Sequence, residues 1–332
     1  MITSLYRNPD GHLKQNLTDD ELRAAVRSGV GLLWVDFHKP TADEVFQLDD
    51  VFGFHALAIE DCQHVSQYPK LDNFGNYLFI VFMAPNPQFK PNATLDQNGV
   101  SDDPVLEVDL FCGRNYVVTF HSTSLPFIQV LMENAKRDSK RVLGREAVFL
   151  LHNIIDAAVD QFFAMMNTLQ GEAEEAEARL QQRGQKEVLS GVLELKCRIL
   201  RLRRQMSDHR ELLQRLLRSN HPVVVPESHI YFRDIVDHLN RIENDLDACR
   251  EAIGNACEVY LEMAQVRTND VIQVLTVVFT LSLPFSILTS WYGMNFQYLP
   301  LMDHPAGAWI ATGIMTLFSL TMFFWLRTKR WF

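Results

Sequence analysis

VIQVLTVVFTLSLPFSILTSWYGMNFQYLPLM, Val271 to Met302, holds no charged residue and lies between Asp270 and Asp303. A second uncharged stretch, AGAWIATGIMTLFSLTMFFWL, follows from Ala306 to Leu326. At 1.5 Å rise per helical residue, about 20 apolar residues cover the ~30 Å hydrocarbon core of a bilayer, so each stretch is long enough to cross one. Two such stretches at one chain end are rare in soluble cores, where a helix needs only one apolar stripe. Aromatic residues stand where membrane interfaces should lie. Trp291, Tyr292 and Tyr298 end the first stretch, Trp309 opens the second, and Trp325 and Trp331 close it. Arg327, Lys329 and Arg330 follow the second stretch, whereas the connecting loop carries Asp303 and no Lys or Arg. The positive-inside bias predicts both termini in the cytoplasm, a short loop outside, and a multi-pass protein of a bacterial-type inner membrane. MITSLYRNPDGHL, at the start, lacks the apolar run of a signal peptide.

This hairpin explains why the averages mislead. The 332 residues are 47% hydrophobic, with 31 basic and 41 acidic residues and a net charge of −10. The mean hydropathy of −0.06 sums an apolar hairpin and an acidic cytosolic body, and describes neither. The acidic excess argues against a nucleic-acid partner and suits a protein that attracts cations. Cys62, Cys112, Cys197, Cys249 and Cys257 form no CxxC pair, which fits reduced thiols in a cytosolic setting. No Gly-rich phosphate loop, nucleophile motif or catalytic constellation is present, so no enzyme activity is expected.

Upstream of the hairpin two patterns follow each other. The first ~125 residues mix α and β signals. GLLWVDFHKP (Gly31 to Pro40) reads as a strand ended by proline, and Thr41 as the cap of a helix through Asp50, with Asp43 and Glu44 in its first turn. YLFIVFMAP (Tyr77 to Pro85) is a continuous apolar run, the mark of a strand buried on both faces. LEVDLFCGRNYVVTFH (Leu106 to His121) alternates about Gly113-Arg114-Asn115, a hairpin signal. After Leu125 the pattern is helical. GEAEEAEARLQQRGQKEVL reads as a solvated pair of helices. Phe232, Ile235, Leu239, Ile242, Leu246, Cys249, Ile253, Ala256, Tyr260 and Met263 then alternate spacings of three and four, a heptad seam. No proline interrupts it before the first apolar stretch. One helix of ~60 residues would reach ~90 Å, and its stripe must be covered by other helices of the same or other chains. The expected class is α+β: residues 1–140 a cytosolic α/β domain, 141–270 a helical region with a long stalk helix, and 271–332 a transmembrane hairpin.

At the end of the first stretch stands Tyr292-Gly293-Met294-Asn295-Phe296. Alone, Gly-Met-Asn could be a helix C-terminus with a left-handed glycine. Here it closes a long stalk helix, follows a span containing Pro284, and precedes a short loop and a final span with a basic tail. That arrangement, with HALAIEDCQHVSQYPKLDNFGNYLFIV (His55 to Val81), YFRDIVDHLNRI (Tyr231 to Ile242) and TNDVIQVLTVVFTLSLPFSILTSWYGMNF (Thr268 to Phe296), resembles the CorA family of divalent-cation transporters over nearly the full chain.

The resemblance implies a homopentamer in membrane lipid that passes hydrated Mg2+, and also Co2+ and Ni2+, with Mg2+ both cargo and regulator. Mg2+ binds oxygen and sheds water reluctantly, so a ring of Asn295 carboxamides and backbone carbonyls near Gly293 and Met294 could hold the hydrated ion. By motif position Asn269 and Ser286 become polar stations of the pore, and Ile272, Leu275 and Leu283 a hydrophobic gate. Helix packing is the competing explanation for these apolar three. The family's cytosolic regulatory carboxylates match Glu60, Asp61, Asp234 and Glu258, with Asp156 a looser match; the alternative for each is a solvated surface acid. Gln297 and Leu301 replace acidic residues common in the family, leaving Asp303 alone in the outer loop, and Phe279 replaces a smaller residue on the pore side. The histidines are dispersed, with His304 in the loop the one to watch. Two other functions compete: a Zn2+ transporter of the related branch, and a membrane-anchored coiled-coil signalling protein that would leave Asn295 unexplained.

Overall fold

A computed structural model describes residues 1–64, 66, 68–88, 104–183, 186–294 and 305–328, the side chains of 181–183 and 186–188 excepted. In chain order the elements are β1 (Ile2–Arg7), β2 (Leu13–Gln15), α1 (Asp19–Ser28), β3 (Leu32–His38), α2 (Ala42–Asp50), α3 (Ala56–Gln63), β4 (Lys70–Asn73), β5 (Leu78–Pro85), β6 (Val105–Cys112), β7 (Tyr116–His121), α4 (Pro126–Arg137), α5 (Ser139–Leu143), α6 (Ala147–Arg183), α7 (Lys186–Arg218), α8 (His229–Tyr292) and α9 (Gly307–Thr328). The chain divides into two compact units, Met1–Ala256 and Cys257–Phe332, with the division inside α8.

The first unit is built on a seven-stranded sheet in the order β2-β1-β3-β7-β6-β5-β4, antiparallel except for the β3–β7 pair. All eight residues of β5 are buried, as the apolar run predicts. β6 and β7 form the expected hairpin, but β7 is buried on both faces rather than alternating. The reason is that helices cover both sides of the sheet. Phe54, ahead of α3, stacks on Phe111 of one face with ring centroids 4.0 Å apart. On the other face His209 of α7 stacks on Phe82 at 4.1 Å, and its Nε2 accepts the Met83 N–H at 3.0 Å. Burial of that imidazole holds its pKa down to about 3, so it is neutral.

Local chemistry fixes the short helices. Thr41 caps α2 in a reciprocal capping box with Glu44, as its sequence predicts, and Thr18 does the same for α1 with Glu21. Gly31 has φ of +72°, and a Cβ there would lie 2.5 Å from the Arg7 carbonyl oxygen, so only glycine fits where β1 passes. β2 escapes the sequence reading because it has three residues, and β1 because its apolar and polar residues do not alternate.

α8 runs 64 residues, close to the length the heptad seam predicts. Within the first unit its seam is covered by α6 and α7 of the same chain. Phe232, Ile235, Leu239, Ile242 and Leu246 are fully buried, and Arg203 and Arg210 of α7 pair with Glu243 and Asp247 beside them. In the second unit the stripe is uncovered, and Met263 is 39% exposed.

Three helices are long and apolar enough to cross a membrane by length and composition: α6, α8 and α9. Burial separates them. Half of the α6 apolar window is buried inside the first unit, against 11% of the windows of α8 and α9. The α6 stripe is therefore spent on the fold, and the last two helices are those with unspent apolar surface. Thr276, Thr280, Thr289, Thr312 and Thr316 each donate to the carbonyl four residues back, so these hydroxyls need no partner outside their helix.

Candidate functional site

The sequence points to two sets of residues, and each is best taken where it lies. In the second unit, α8 touches α9 along one side: Val277 is buried, Pro284 is buried, and Ser319 Oγ donates to the Leu281 carbonyl. Pro284 sits inside the helix with no N–H to donate. At 100° per residue, Asn269, Ile272, Leu275, Phe279, Leu283 and Ser286 fall on an arc of about 120°, roughly opposite that contact. All six are exposed, Ile272 at 55%, Leu275 at 52% and Leu283 at 53%. Packing within the chain therefore does not account for them. Thr276 and Ser290 share the arc and went unremarked in the sequence; helical projection was the signal that could have found them.

α8 ends at Tyr292, and its last turn continues through Gly293 N–H donating to the Thr289 carbonyl at 2.9 Å. Gly293 is not in the left-handed region, so a left-handed glycine cap does not explain the tripeptide. Met294 is 51% exposed. Asn295, Gln297, Leu301, Asp303 and His304 lie outside the described residues.

In the first unit the acidic candidates divide. Asp156 and Asp160 stand one turn apart on α6, and Asp234 and His238 one turn apart on α8. The imidazole stands between them, its Nδ1 4.0 Å from Asp156 Oδ1 and its Nε2 3.9 Å from Asp234 Oδ2. Ligand atoms of Asp156, Asp160 and His238 all lie within 4.8 Å of one another. His238 Nδ1 is buried without a hydrogen-bond partner, and Phe163 packs edge-on against the ring at 5.8 Å. Burial raises the Asp156 carboxyl above its ordinary range, with Asp160 and Asp234 adding and His152 and His238 opposing. Two carboxylates and one imidazole around one point form a donor set for a divalent ion, with the imidazole favouring Co2+ or Ni2+ over Mg2+. The sequence reading named Asp156 and Asp234 and missed Asp160 and His238, although both pairs show the i, i+4 spacing.

Asp61 lies elsewhere, on α3, where Lys70 bridges it to Asp72 at 2.7 Å each. Glu60 is exposed on the same helix, and Glu258 is exposed in the second unit.

A family model described as CorA-like Mg2+ transporter protein matches residues 29–330. The chain belongs to the CorA-like Mg2+ transporter family. It is 31% identical over 299 residues to YfjQ of Bacillus subtilis, covering 90% of this chain and 89% of that protein. It is 29% identical over 289 residues to the cobalt/magnesium transport protein CorA of Thermotoga maritima, covering 87% and 80%. The complete structure of the CorA magnesium transporter from Methanocaldococcus jannaschii matches with a TM-score of 0.80 at 21% identity, over 100% of this chain and 99% of that one. The mixed sheet, the long helix and the apolar C-terminal helices are thus a CorA fold, and the family function is transport of divalent cations.

Proposed function

We propose that five copies of this chain surround a pore in a cell membrane, with both termini cytoplasmic, and pass hydrated Mg2+, with Co2+ and Ni2+ as further cargo. The observation that carries this reading is the exposed arc of α8, which runs into Gly293-Met294-Asn295 and faces away from α9. Five Asn295 carboxamides, with carbonyls near Gly293 and Met294, accept hydrogen bonds from the ion's water. Asn269 and Ser286 are polar stations along the helix. Ile272, Leu275 and Leu283 form a constriction that closes by dewetting. The outer loop offers only Asp303, so it concentrates cations weakly.

The membrane potential drives the flux. A divalent ion entering a cytosol at −100 mV gains about 4.6 kcal/mol, twice the ~2.3 of a unit charge. Control is therefore a matter of closing the pore. Cytosolic Mg2+ held by Glu60, Asp61, Asp156, Asp234 and Glu258 where copies of the chain meet biases the assembly toward the closed state, because carboxylates gathered at such a boundary repel one another until a cation occupies them. His238 and Asp160 join that set on the geometry of their cluster.

Flux of Mg2+, Co2+, Ni2+ and Zn2+ into proteoliposomes tests the reading. Wild type should carry Mg2+, and Asn295→Ala should largely abolish flux, because the ring of carboxamide acceptors is lost. Equal flux from both would remove the assignment of Asn295, and the absence of flux of any ion from wild type would remove the transporter reading. Asp61→Ala with Glu258→Ala should keep the pore conducting at Mg2+ concentrations that close wild type; unchanged closure would contradict the regulatory role.

A further inference from the structure

β6 carries Glu107 and Asp109 two residues apart, hence on the same face of the strand. The register sets Met83 beside Glu107, and Val81 and Phe120 beside Asp109, so the neighbouring strands bring no cation to either. From α3, Cys62 approaches Asp109, and the two carboxyls lie close enough to act on each other. Glu107 Oε2 also accepts the Ser66 N–H at 2.5 Å. Asp109 is 2% exposed, and both Asp109 Oδ1 and Glu107 Oε1 are buried without a partner. The charged groups that approach from the other elements are Asp61 of α3 and Lys70 and Asp72 of β4, and the Lys70 ammonium is already shared between those two aspartates.

Two adjacent carboxyls with buried, unpartnered oxygens and no ion pair cannot both stay ionised without a large cost, so one of them holds a proton. Burial raises both above the ordinary carboxylate range, Asp109 the further, because it is more deeply buried and faces the charge on Glu107. Full ionisation would place two uncompensated negative charges between α3 and the sheet, an arrangement relieved only by a proton, a cation or separation of the two layers.

We propose that Glu107 and Asp109 hold one shared proton beneath α3 and form a latch that loosens α3 when that proton is lost as pH rises. The sign follows from linkage. The unfolded or opened segment has ordinary carboxyls that bind fewer protons than the closed one, so closure weakens as pH rises through the range between the two. The consequence for transport rests on the proposed role of Glu60 and Asp61, which α3 carries: the Mg2+ concentration that closes the pore should rise with pH, by at most about tenfold per pH unit for one proton.

The test uses the full chain in detergent or liposomes, with Asp109→Asn and Glu107→Gln, each close in shape to a protonated carboxyl. Infrared difference spectra of wild type at neutral pH should contain a protonated carboxyl band that both variants lose. Hydrogen exchange across Ala56–Gln63, corrected for its intrinsic pH dependence, should accelerate several-fold in wild type as pH is raised and stay flat in Asp109→Asn. A wild-type spectrum without that band overturns the shared proton, and parallel exchange profiles overturn the latch. If band and exchange behave as proposed while Mg2+ closure ignores pH, the regulatory role of Glu60 and Asp61 fails and the latch stands.

Discussion

α8 carries one apolar seam through two surroundings. From Phe232 to Ala256 the seam is at most 7% exposed, locked by α6 and α7. Beyond Cys257 the helix keeps its apolar character, yet Ile272, Leu275, Val278, Phe279 and Leu283 are each more than half exposed. The first part is a structural helix whose demands the chain meets by itself. The second has apolar surface that the described residues of the chain leave uncovered. The difference teaches that a heptad spacing states how a helix wants to be covered without saying by what.

That contrast can be broken by cavities. Leu246→Ala removes a fully buried side chain and should destabilise the full chain in detergent by about 2–5 kcal/mol, read as a lower denaturant midpoint. Leu275→Ala should shift the same midpoint by no more than about 0.5 kcal/mol while changing flux. Equal losses at the two positions would erase the distinction between the halves.

His209 sharpens the buried side. Its folded pKa, down to about 3, lies below the ordinary 6.5, so the unfolded chain binds the extra proton. Stability is full above about pH 6.5 and falls as pH drops toward about 3, by at most ~1.4 kcal/mol per pH unit. His209→Gln should flatten that acid limb in pH-dependent unfolding; an unchanged slope would mean other groups dominate it.

His238 lies in the covered part of α8 but off its seam, with its side chain 37% exposed. Removing the imidazole in His238→Ala should weaken Co2+ binding about tenfold and Mg2+ binding far less, measured by calorimetry on the intact protein. Equal weakening for both ions would show that only the carboxylates hold the metal. The smallest effect belongs to the surface: Thr41→Ala removes the α2 cap and should cost about 1 kcal/mol of stability with no change in flux.

Periodicity made much of this fold legible. β5 was readable because a strand covered on both faces must be continuously apolar, and α8 because a seam without proline has no reason to stop. β1 and β2 were not, since β1 takes its place by pairing with β3 rather than from its own pattern, and the three residues of β2 pair only with β1. The arc of α8 was legible only through the family resemblance, which pointed by motif position to Asn269, Ile272, Leu275, Leu283 and Ser286. His238 and Asp160 were invisible as a site because their meaning depends on α6 and α8 lying side by side, a tertiary fact that no local spacing states. The ion pair of Asp61 with Lys70 was equally hidden, since it joins a helix to the edge strand of the sheet.

The central claim is that the arc of α8 opposite α9 lines the ion path. Single cysteines placed from Asn269 to Ser286 in a cysteine-free background, treated with a charged thiol reagent during Mg2+ flux, test it most directly. Block should recur at Asn269, Ile272, Leu275, Leu283 and Ser286 and be absent at Val277 and Leu281. Block concentrated at Val277 and Leu281, or spread evenly around the helix, would contradict the account.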